Sequence, residues 1–293
     1  MRLDDQQESD RIEDRRAQGG YGGSGGISMG TLMMFWPLLR PLLRTKIGWM
    51  LIAGVAAMYM MGINPLAFLG GGGVGSPKVD KRVEDQQARF IAKVLGSTEA
   101  VWSRVLPKYG LRYKKPVMVL FRGHTRSGCG MASAQTGPFY CPVDQKVYLD
   151  LSFFDELARR FGAPGDFAQA YVLAHEIGHH VQKLTGVLNK VQQMQRRMSK
   201  TQANALQVRV ELQADCYAGI WGHYADKQFG QLEAGDVEEA MRAASAIGDD
   251  TLQREAQGYV RPDSFTHGSS RQRVEWFMRG YQSGDLRACD TFR

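Results

Sequence analysis

Residues 47–69 (IGWMLIAGVAAMYMMGINPLAFL) run for 23 positions without one charged side chain. At 1.5 Å of rise per residue, a helix of that length crosses the roughly 30 Å hydrocarbon core of a bilayer. Inside a water-soluble domain the same helix would need apolar cover on every side. The sequence therefore predicts one transmembrane helix at 47–69, with Trp49 as an interfacial anchor. A shorter apolar run at 33–43 is interrupted by Arg40 and two prolines and reads as interfacial. A cleaved signal peptide does not fit, because the run begins deep in the chain and GGGG follows it.

The flanks complete the organisation. Residues 1–46 open with MRLDDQQESDRIEDRR and continue through GGYGGSGG at 19–26. So few apolar groups do not offset the entropy of ordering, so this part reads as a flexible tail. Residues 70–78 (GGGGVGSPK) form a linker, and 79–293 a folded domain. Arg40, Arg44 and Lys46 precede the span, whereas the next charged residue after it is Lys78. The positive-inside bias then puts the tail in the cytoplasm and the domain in the periplasm or outside the cell, as a single-pass protein of a bacterial inner membrane. The bilayer is thus an expected partner, and the Ala53/Ala57 pair leaves a membrane partner or a second copy of the chain open.

A chain of 293 residues, 43% hydrophobic and 23% charged, has material for a core. That excludes a wholly disordered chain, and one span excludes a polytopic one. The net charge of +7 is mild. Arg196, Arg197, Lys200 and Arg209 lie on a polar helix without interleaved aromatics, so no nucleic-acid partner is expected. All four cysteines fall in the outer part, as an oxidising compartment favours. Of three pairings, Cys129–Cys141 closes a local loop and Cys216–Cys289 ties the chain end to a helix. No CxxC spacing supports zinc ligation instead.

Within the domain, helices are expected near 83–95 and 98–106, a strand at 116–121 (PVMVLF), a cysteine-bounded loop, and a strand at 146–151 (KVYLDL). The remainder reads as helical, giving an α+β domain, mainly helical with a small sheet. The segment 166–185 (DFAQAYVLAHEIGHHVQKLT) has helical periodicity, with Pro164-Gly165-Asp166 at its start. It contains His175-Glu176-Ile177-Gly178-His179, an HExxH pattern. Histidines four apart stand one turn above each other, so both imidazoles can meet one metal ion. Zinc suits neutral nitrogen ligands, and Glu176 is placed to reach a metal-bound water.

Two ligands are too few for a catalytic zinc site. A second helical stretch contains Glu211-Leu212-Gln213-Ala214-Asp215, with Glu211 and Asp215 on one face amid apolar neighbours. Glu211 can complete a His2Glu set, and Asp215 can accept the second ring N–H of a ligand histidine. His180 points about 100° away from His179 and reads as a surface or supporting residue, and His124 as a loop residue.

HEIGHH followed by ELQAD resembles the gluzincin metallopeptidases. Together with the run FRGHTRSGCGMASAQTGPFYCPVDQKVYLDLSFF and the late FTHGSSRQRVEWFMRGY, it is more closely similar to the neutral zinc metallopeptidase family of bacterial YpfJ-type membrane proteins. The resemblance covers most of residues 80–293, together with the charged tail and the span. It implies a zincin-like domain with one Zn²⁺ per chain on His175, His179 and Glu211, hydrolysing peptide or protein substrates. Glu176 is then the general base. The expected donor to the developing oxyanion is His267, with His223 and Arg273 behind it. The other reading of His267 is a loop residue capping the helix that follows it. The strand at 147–151 is a candidate edge for holding substrate. The competing function is an envelope scaffold or binding protein with a structural zinc site, closed by a fourth ligand such as His223.

Overall fold

The computed structural model describes residues 1–18, 81–133 and 136–293. The 47–69 run lies outside the described residues. Among the described residues no helix is long and apolar enough to cross a membrane. The larger of the chain's two units combines Met1–Gly20 with Glu84–Arg293.

The larger unit begins with β1 (Ile12–Asp14). The next described element, α1 (Lys81–Val105), is one continuous helix where two were expected. Its buried face repeats at helical spacing through Ile91, Leu95, Val101, Trp102 and Val105. Gly96 and Ser97, between the two expected helices, serve packing inside the one observed. A Cβ at Gly96 would overlap the Gln7 carbonyl, and Ser97 Oγ donates to Gln231 Oε1 at 2.6 Å.

Among the described residues, six short strands follow two patterns. The main sheet has the order β1–β2–β6–β5, with β2 at Val117–Phe121, β5 at Phe139–Cys141 and β6 at Lys146–Asp150. β1 and β6 both run parallel to β2, whereas β5 runs antiparallel to β6. The strand expected as a substrate-holding edge is therefore interior. Val147, Tyr148 and Leu149 are buried in succession, as a strand covered on both faces requires. β5 is the edge. The remaining strands, β3 (His124–Ser127) and β4 (Gly130–Ser133), form a separate antiparallel pair tied to β5 by Cys129–Cys141.

The helical half contains α2 (Ser152–Arg159), α3 (Asp166–Leu184), α4 (Val187–Gln195), α5 (Lys200–Lys227), α6 (Asp236–Ala246), α7 (Asp249–Gln257) and α8 (Ser270–Ser283). α5 and α8 start with capping boxes, Ser199 with Gln202 and Ser269 with Gln272. The core lies where α3, α5 and α8 meet, with Phe167 stacked on Trp221 and Tyr171 edge-on to Phe277. α8 sits so close to α5 that a Cβ at Gly280 would overlap the Cys216 carbonyl. Cys216–Cys289 ties the chain end to α5 and closes 73 residues. A loop of that size contributes about 4 kcal/mol by restricting the unfolded chain. Both disulfides are those expected from the sequence.

The reading of residues 1–46 as a flexible tail fails for residues 1–18. Leu3 is buried, β1 joins the sheet, and the α-ammonium of Met1 sits among Asp166, Glu233 and Asp236 at 2.9, 2.9 and 3.3 Å. Burial opposes charge on that ammonium. Hydrogen bonds to Glu233 and Asp166 outweigh it and raise its pKa from 8.0 to about 10. A raised folded pKa means stability that is complete below the unfolded value and lost as pH rises through the folded one. Between pH 8 and pH 10 the protein should lose about 1 kcal/mol from this group, after allowance for solvent screening. Comparing Tm against pH for the native chain and for one extended by two residues before Met1 checks this: only the native chain should show the loss.

Candidate metal centre

α3 and α5 cross at Gly178, where a Cβ would come 2.8 Å from the Ala214 carbonyl oxygen. A bare glycine between Glu176 and His179 therefore lets α5 approach, and that approach presents Glu211 to both histidines. Glu211 Oε2 stands 3.2 Å from His175 Nε2 and 3.3 Å from His179 Nε2. The three ligand atoms lie within 4.8 Å of one another, and the imidazole rings are set at 89°. Two imidazole nitrogens and one carboxylate oxygen, nearly enclosed by protein, form the donor set that zinc takes in open catalytic sites.

Each donor is held from behind. His175 Nδ1–H donates to Asp215 Oδ1 at 2.7 Å, leaving Nε2 free to ligate. Asp215, fully buried, also accepts from Tyr171 OH at 2.6 Å and from Arg273 Nε at 2.9 Å and Nη2 at 3.0 Å. His179 Nδ1–H donates to Gln182 Oε1 at 2.9 Å, and Gln182 in turn donates to the Val210 carbonyl at 2.7 Å. Gln207 Nε2 donates to Glu211 Oε1 at 2.8 Å, fixing the other carboxylate oxygen.

Electrostatics follow from this packing. Burial alone would keep Asp215 neutral, but Arg273 and His175 hold its carboxyl well below the usual range. Burial also opposes charge on Glu211, and both histidines reverse it, so this carboxyl too is held far down. His175 is disfavoured as a cation by burial, yet Asp215 and Glu211 raise it to about 10. The cluster thus favours positive charge at its centre. Glu176 differs. Burial pushes its pKa up, against the opposing pull of His179 and His175.

His175, Glu176, His179 and Glu211 line a cleft of about 970 Å³ that also reaches β5, α4 and α7. His267 lines the same cleft with its side chain half exposed. Its Nδ1 lies 3.2 Å from Asp249 Oδ1, while Asp249 Oδ2 accepts from the backbone N–H groups of Thr266, His267 and Gly268. The helix that follows is capped by Ser269, so the capping alternative for His267 falls.

Other expectations are corrected. Arg273 is 3% exposed and engaged by Asp215, Tyr171 and the Ile247 carbonyl, which makes it a support of Asp215 rather than the leading oxyanion donor. His223 is turned to the Tyr281 carbonyl at 2.7 Å and supplies no fourth ligand. His180 is buried, between Tyr140 OH at 3.0 Å and the Lys114 carbonyl at 2.6 Å, and burial lowers its pKa to about 4. His124 stands exposed on β3. Tyr171, Gln182 and Gln207 were passed over, although their helical spacing from His175, His179 and Glu211 marks them. Asp249 had no such signal.

An HExxH helix, a crossing helix carrying the third ligand, and an antiparallel edge strand along the cleft define a zinc-peptidase type of domain. The family described as "Putative neutral zinc metallopeptidase" matches residues 1–292. The chain is 47% identical over 295 residues to the uncharacterized protein YpfJ of Escherichia coli K12, covering 100% of this chain and 99% of that one. It is also 47% identical over 216 residues to the uncharacterized protein Rv2575 of Mycobacterium tuberculosis, covering 70% of each. The chain belongs to the neutral zinc metallopeptidase family. No solved structure matches it.

Proposed function

We propose that this protein is a zinc-dependent endopeptidase of the cell envelope. The observation that carries the reading is the convergence of His175, His179 and Glu211 within 4.8 Å on the wall of an open cleft. Zinc held there supplies Lewis-acid polarisation of water and of the scissile carbonyl. Glu176 takes a proton from the attacking water and returns it to the leaving amine, and its raised pKa suits both halves of that task. His267, steadied through Nδ1 by Asp249, offers its Nε2 to the oxygen on which negative charge develops. β5, rather than β6, lends the main-chain groups along which an extended peptide lies.

Three donors and no fourth in the cluster favour catalysis over a closed structural site among the described residues. Two disulfides and no free cysteine support a location for the catalytic unit in an oxidising compartment, outside the cytoplasm. The uncharged 47–69 run supplies the membrane attachment.

The test is hydrolysis of a quenched-fluorescent peptide library by the full chain in detergent. Cleavage should stop on treatment with a zinc chelator and return with added Zn²⁺. Cleavage that persists through chelation, with metal content shown to be nil, would remove the proposal.

A further inference from the structure

The sequence separates residues 1–18 from residues 84–293 by a run long enough to cross a bilayer, yet the structure makes them one folded unit. β1 is a full member of the main sheet, with Ile12, Glu13 and Asp14 opposite Met118, Val119 and Leu120. The ladder continues past both of its ends, with Met118 N–H to the Arg11 carbonyl at 2.8 Å and Arg15 N–H to the Leu120 carbonyl at 2.7 Å. Ahead of β1, Ser9 N–H donates to the Ala92 carbonyl at 3.0 Å and Lys93 Nζ to the Leu3 carbonyl at 2.9 Å. Gly96 is bare where the Gln7 carbonyl passes, so α1 itself is shaped to receive this segment.

The two borders of the intervening stretch are also neighbours. Arg16 Nη2 lies 3.0 Å from Asp85 Oδ1, so the chain departs from and returns to one place on this unit. None of these contacts survives a single crossing. One passage through the membrane would put roughly 30 Å of hydrocarbon between the partners and strip β2 of a strand, leaving its backbone groups without partners.

We propose that residues 1–18 and 84–293 lie on the same side of the membrane, so that the chain between them makes an even number of crossings. The N-terminal segment is then a structural strand of the catalytic unit rather than a cytoplasmic tail. The inference stands on the sheet and not on the peptidase reading.

Because no native cysteine is free, one introduced thiol reports one position. Asp5→Cys and Glu255→Cys, both at exposed sites, would be expressed separately as full chains. Each would be treated with a membrane-impermeant maleimide before and after lysis of spheroplasts. Both should react to the same extent before lysis. One reacting before lysis and the other only after it would overturn the proposal. If both react only after lysis, the shared side stands and the outward location given under Proposed function falls. Docking itself is read on purified full chain in detergent: Leu3→Asp should lower Tm by about 5 °C or more. An unchanged Tm would show that the segment is not packed and overturn the argument.

Discussion

Glu176→Gln should reduce kcat/KM for peptide hydrolysis by about 10³-fold, within the range that a positioned general base supplies. Zinc content and Tm should stay at the wild-type level. The exchange keeps shape and volume at a position that is 8% exposed, and the three converging ligand atoms come from other residues. A glutamine cannot accept the proton of the attacking water or deliver it to the leaving amine. Peptide assays set beside metal analysis of the same preparation separate this from simple loss of the ion. Turnover within tenfold of wild type would show that some other group moves the proton.

Asp215→Ala should have a different signature, with zinc affinity lowered by about 10- to 100-fold and folding destabilised by about 3–5 kcal/mol. The affinity loss follows from His175, whose Nδ1–H loses its acceptor and whose ring loses its fixed tautomer. The stability loss follows from Arg273, which is 3% exposed and would keep its charge without the carboxylate that compensates it. Tyr171 OH would lose its acceptor as well. Competition with a chromophoric chelator measures the first effect and denaturant unfolding the second. Equal stability of variant and wild type would mean that Arg273 finds another partner, and that Asp215 serves the metal alone.

The centre was legible in the sequence because its geometry is local. Histidines four apart on a helix share a face whatever the rest of the chain does, and Glu211 with Asp215 repeats that spacing on α5. What the crossing required was also present, in the glycine of HEIGH. The cysteine pairing could be chosen because one pair closes a short loop and the other a chain end.

What escaped depends on contacts between distant segments. β1 is three residues long, charged at two of them, and pairs with a strand more than a hundred residues later, so no alternation or turn announces it. Strand order carries no local mark, which is why β6 was mistaken for an edge and β5 was missed. His180 was assigned to the surface from its angle on α3. That angle is correct, but the side it points to is covered by Tyr140 and the Lys114 backbone. Asp249 reaches His267 across two helix starts, a relation that spacing does not encode.

Metal analysis of the full chain, with X-ray absorption at the zinc edge, tests the His175, His179 and Glu211 centre most directly. Wild-type protein should hold one zinc per chain, bound by two imidazoles and light oxygen donors that include one exchangeable water. Glu211→Ala should lose that stoichiometric zinc. Sulfur in the coordination shell, or a full complement of zinc in Glu211→Ala, would contradict this centre.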